Sequence, residues 1–86
     1  MSNDTLIDFP AEIAVKAMGL NDDEFEKLIA RTVLPLIEPA TARISTLPSK
    51  EGKYLSVRVH FTALNHDHLQ SVYIALRAEE RVLFTL

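Results

Sequence analysis

Residues 53–62 read KYLSVRVHFT, and their alternation has no fault: Leu55, Val57, Val59 and Phe61 are apolar, while Tyr54, Ser56, Arg58, His60 and Thr62 stand between them. Successive strand side chains point to opposite faces, so this pattern buries one face and leaves the other in water. A half-buried strand of this kind must have strands beside it and an apolar layer over its buried face. The rest of the chain has to supply both.

Strand partners can be found on either side. Residues 40–47, ATARISTL, read as a strand joined to 53–62 through the turn PSKEG, where Gly52 takes a positive φ. Residues 12–18, EIAVKAM, read as a strand with Ile13, Val15 and Ala17 on one face, broken at Gly19. The final RVLFTL, rich in β-formers, is a terminal strand. The apolar layer comes from two helical patterns. In LNDDEFEKLIARTVL, Phe25, Leu28, Ile29 and Val33 make one stripe, with Asn21 as N-cap, Glu24 completing a capping box, and an end near Leu34 before Pro35. In LNHDHLQSVYIALRA, Leu69, Val72, Tyr73 and Leu76 make the other, and Ile74 projects outward.

The order β-α-β-β-α-β predicts an α+β fold, the ferredoxin-like sandwich. Four antiparallel strands carry two helices on one face, with the first and third strands in the middle. At 86 residues the chain makes a single domain, placed at 11–86, behind a partly disordered N-terminal tail at 1–10 whose Leu6, Ile7 and Phe9 cover one end of the core. The absence of cysteine excludes disulfides and thiol chemistry, and no apolar run approaches the roughly 20 residues of a membrane span. A cytoplasmic location without membrane contact follows as the expectation.

Two of the three histidines lie in LNHDHL. Residues two apart on a helix diverge by about 200°, so His66 and His68 point apart, and His60 belongs to the polar face of its strand. No metal site is expected. LNHDHL shares the frame Leu-Asn-x-Asp-x-Phe/Leu with LNDDEF at residues 20–25, which makes Asn65 the N-cap of the second helix. No phosphate loop, nucleophile elbow or H-E-x-x-H is present, so no catalytic residue and no cofactor is assigned.

Binding surfaces remain. The polar sheet face is expected to gather Lys16, Arg43, Arg58 and His60, with Thr41, Ser45 and Ser56 between them, opposite acidic helices bearing Asp22, Asp23, Glu24, Glu26 and Asp67. Such a face suits an anionic ligand or an acidic partner protein. Nucleic acid is not expected, because the middle strands lack the stacking aromatics of an RNA-binding sheet. The terminal strand should lie at a sheet edge, where a homodimer could form.

FPAEIAVKAMG, PSKEGKYLSV and VYIALRAEERVLFTL also resemble the YbeD-like family of small bacterial proteins of unknown function, over nearly all of residues 6–86. Phe9-Pro10, Met18-Gly19 and the hairpin Ser49, Gly52, Tyr54 and Ser56-Val57 carry most of the resemblance. The resemblance implies a fold similar to ACT regulatory domains, and hence a non-enzymatic regulatory or adaptor module. In ACT domains small ligands bind at the turn after the first strand, often at a dimer interface; here that turn holds Gly19 and Asn21. The family's association with lipoate metabolism implies the alternative of an accessory factor or small enzyme using His60 with Arg58. His66 and His68 stand outside the family pattern.

Overall fold

The computed structural model describes residues 7–86. Its elements are β1 (Ala11–Leu20), α1 (Phe25–Val33), β2 (Arg43–Pro48), β3 (Tyr54–Ala63), α2 (His66–Arg77) and β4 (Phe84–Thr85), with 3₁₀ turns at Leu34–Leu36 and Pro39–Thr41. All pairings are antiparallel and the sheet order is β2-β3-β1-β4, the ferredoxin-like arrangement with the first and third strands central.

The period of two in β3 and the helical stripes meet in one core. Val57, Val59 and Phe61 of β3 and Val15 and Ala17 of β1 pack against Phe25, Ile29 and Val33 of α1 and Leu69, Val72 and Leu76 of α2, all buried. Each of these side chains larger than alanine contributes about 1.5–3 kcal/mol by leaving water, which makes the helix-facing side of the sheet the principal source of stability. Ile37, beyond the first 3₁₀ turn, joins this core, and Leu28 and Tyr73 pack at its margin.

Several boundaries differ from the sequence expectation. β1 does not break at Gly19 but runs on to Leu20, with Gly19 opposite Leu55. The glycine is required by packing: a Cβ there would stand 2.5 Å from both the Arg81 carbonyl oxygen and the Phe25 ring. The predicted capping box does not form. α1 begins at Phe25 after Glu24, whose side chain makes no cap. Asp22 starts the turn by accepting the Glu24 N–H at 2.8 Å, while Asn21 turns away and donates its side-chain amide to the Gly52 carbonyl at 3.0 Å. β2 starts at Arg43 rather than residue 40 because the Thr41 hydroxyl and the Ala42 N–H bond back to Glu38 and Pro39. β4 is a two-residue ladder, extended by Leu86, which exchanges both backbone bonds with Lys16 at 3.0 and 2.9 Å.

Of the tail expected over residues 1–10, residues 1–6, including Leu6, lie outside the described residues; Phe9 packs against the core. No helix among the described residues is long and apolar enough to cross a membrane.

Candidate functional site

Both helices lie on the face formed by Ile13, Val15, Ala17 and Gly19 and their β3 partners, and the opposite face of the sheet has no covering layer among the described residues. Register sorts this outer face into rows, because residues directly opposite in a ladder share a side. In one row, Ala14 lies opposite His60, and His60 opposite Arg43. In the next, Lys16 lies opposite Arg58, and Arg58 opposite Ser45. The third runs Phe84, Met18, Ser56, Leu47 across all the strands.

The structure therefore brings Lys16, Arg43, Arg58 and His60 onto one surface. It removes Thr41 from that strand face, since Thr41 belongs to the second 3₁₀ turn. His60 and Arg43 border an open cleft of about 460 Å³ whose walls include Glu12, Thr41 and Thr62. Lys16 and Arg58 border a separate notch of about 90 Å³ with Ser45, Ser56 and Leu47. His60 and Arg58 thus open onto different hollows. The apolar third row escapes sequence reasoning: Phe84 and Leu47 are 47% and 71% exposed, and only the pairing of distant strands aligns them with Met18.

Gly19 and Asn21 lie at the other candidate position, the junction of β1 and α1. The space over Gly19 is filled by the Phe25 ring and the Arg81 backbone. Asn21 is tied to the β2–β3 turn through its own N–H to Lys53 at 2.9 Å and its side chain to Gly52. Arg81 crosses this junction to pair with Asp22 and lies over the Phe25 ring. The Arg81 hydrogen bond, reinforced by the Glu24 N–H, holds the Asp22 carboxyl below the ordinary 3.8.

The histidines of the second junction do structural work. Asn65 caps α2 by accepting the His68 N–H at 2.8 Å. The His68 ring accepts the Leu64 N–H at Nδ1 (3.0 Å) and meets the Leu36 carbonyl at Nε2 (2.8 Å), so the proton sits on Nε2. His66 approaches Gln70 instead, at 3.4 Å. Among the described residues, no group of three His, Cys, Asp or Glu stands placed to hold a metal ion.

Residues 4–86 match the family model described as a protein of unknown function, DUF493. A UPF0250 protein of Paraburkholderia phymatum is 33% identical over 98% of this chain and 96% of its own length. One from Neisseria gonorrhoeae is 34% identical over 95% and 91%. Among solved structures, protein HP0495 of H. pylori superposes with a TM-score of 0.69 at 17% identity, over all of this chain and 94% of its own, which is a likeness of fold.

Proposed function

This chain belongs to the DUF493 family of proteins of unknown function, and from that premise we propose that it acts by binding, as an adaptor whose open sheet face takes a partner protein with an acidic, partly apolar segment. The observation that carries this reading is the outer face, uncovered among the described residues, where two cationic rows lie beside the apolar row of Phe84, Met18 and Leu47. A purely solvated sheet face has no need of that apolar row. The molecule measures 38 × 30 × 21 Å, so its broad side offers the roughly 800 Å² per partner of an ordinary protein interface. Asp22, Asp23, Glu24 and Glu26 lie at the start of α1, away from this face, and would repel an acidic partner from the helical side.

The test is affinity capture from the source cell with three baits: the parent, Phe84→Ser on the sheet, and Ile74→Ser, which alters a comparably exposed residue on α2. A protein held by the parent and by Ile74→Ser but lost by Phe84→Ser supports the reading. Equal retention by all three baits overturns it.

The larger cleft favours a second reading, a regulatory site for a small anionic metabolite held by Arg43 and His60. His60→Ala would remove metabolite binding there while sparing partner capture. Acid–base work by His60 in an accessory enzyme would draw on Arg43 rather than Arg58.

A further inference from the structure

Cross-strand neighbours stand about 4.5–5.5 Å apart at Cβ, and two like charges placed there destabilise the sheet. Lys16 and Arg58 are such a pair, on the two central strands. Neither forms an ion pair among the described residues; the pairs present are Lys27 with Glu24 and Arg81 with Asp22. Leu86 pairs with Lys16 on its other side, and two same-face neighbours of the pair carry hydroxyls, Ser45 opposite Arg58 and Ser56 two residues before it on β3. These side chains converge on the notch of about 90 Å³, which no carboxylate lines. At ~30 Å³ per water that is room for about three waters, the space of one carboxylate or phosphate group. The larger cleft differs in lining and size: a carboxylate, Glu12, stands in its wall beside Arg43 and His60, and its volume of about 460 Å³ suits a whole metabolite rather than one acidic group.

We propose that the Lys16–Arg58 notch is an anion seat for an acidic side chain of the partner protein, either a carboxylate or a phosphorylated hydroxyl. Arg58 supplies a planar fork of donors, Lys16 a point charge, and Ser45 and Ser56 hydroxyl donors. The repulsion between the two cations in the free protein is relieved when the anion arrives, so the fold's own cost favours occupancy. Residues flanking the anion in the partner would lie on Leu47, Met18 and Phe84 in the adjoining row. The origin of the anion rests on the partner-binding reading; the seat itself does not.

The probes are inorganic phosphate and acetate, titrated into the full chain at constant ionic strength in a chloride background. Backbone amide shifts and the thermal midpoint are followed together. Saturable shifts centred on Lys16, Ser45, Ser56 and Arg58, with a rise in midpoint, are expected. A phosphate affinity tenfold above acetate points to a phosphorylated side chain and the reverse to a carboxylate; either order supports the seat. Arg58→Glu replaces the repelling pair with an attracting one. It should raise the anion-free midpoint and weaken phosphate binding at least tenfold. A drift that does not saturate, or unchanged binding in Arg58→Glu, overturns the seat. Should the seat fail while Phe84→Ser still loses the partner, the adaptor reading stands alone. Should phosphate bind through Arg58 while Phe84→Ser keeps every partner, the seat stands and the adaptor reading falls.

Discussion

Residues 20–25, LNDDEF, and 64–69, LNHDHL, share a frame and occupy corresponding places between a strand and a helix, yet they are built differently. At the second junction Asn65 caps α2 through the His68 N–H. At the first, Asn21 reaches to Gly52, 31 residues away in sequence, and Asp22 organises the turn. The hairpin between β2 and β3 arrives beside Asn21 and offers a carbonyl, and the helix start then passes to the next acceptor in line. A capping side chain is therefore assigned by competition between near and distant partners, and the near partner alone is visible in local sequence.

The sharpest break is Gly19→Ala. A methyl group there meets backbone and ring at 2.5 Å, so a loss of about 3 kcal/mol is expected in urea denaturation. Ala63, at the corresponding place before the second junction, already carries the methyl group in a fully buried site. A neutral Gly19→Ala would remove the packing reason for this glycine. Next come the two asparagines. Asn65→Ala should cost about 1 kcal/mol, as lost helix caps do. Asn21→Ala, losing one exposed hydrogen bond, should cost about 0.5 kcal/mol. Hydrogen exchange should quicken at the His68 amide in the first variant and leave that amide unchanged in the second. Equal costs with equal effects on α2 would erase the contrast.

A smaller difference is expected in acid. Asp22 titrates below its ordinary value in the folded chain, so its contribution is fully present above about pH 4 and is lost as pH falls through the folded value. Thermal midpoints of parent and Asp22→Asn should therefore converge as pH drops below 4, with the parent higher at pH 6. A constant gap across that range would show that the carboxylate does not hold the junction. Least disruptive is a reading of the His68 tautomer by nitrogen NMR at neutral pH. The Nε2–H form is expected from the two backbone contacts, and an Nδ1–H form would show that the ring does not clip α2 to the Leu34–Leu36 turn.

What could be read from sequence follows the same line between near and far. The alternation in β3 and the stripes of α1 and α2 are local, and they foretold the element order and nearly all of the core. The outward placement of Lys16, Arg58 and His60 was equally legible, since parity along a strand decides it. Three features were not. Gly19 reads as a strand breaker because its ring contact with Phe25 and the Arg81 carbonyl belong to other elements. The apolar row of Phe84, Met18 and Leu47 depends on registers between strands far apart in the chain. The contrast between the Lys16–Arg58 notch and the acid-walled cleft depends on both registers at once.

The sheet order also sets a timetable for synthesis. β1 leaves the ribosome before the other strands of its sheet, but its ladder partners are β3, from Leu20 with Tyr54 out to Ala11 with Ala63, and then Leu86 against Lys16. Only the hairpin of β2 and β3 can form from neighbours in the chain. Val15 and Ala17 can meet the α1 stripe early, but their ladder partners Val59 and Val57 come only after residue 54, and such contacts of high sequence separation are the slow ones to form. This strand precedes the others in the chain yet is among the last to be paired, and a nascent chain stalled before residue 54 would leave its backbone edges open to chaperones and to other nascent chains.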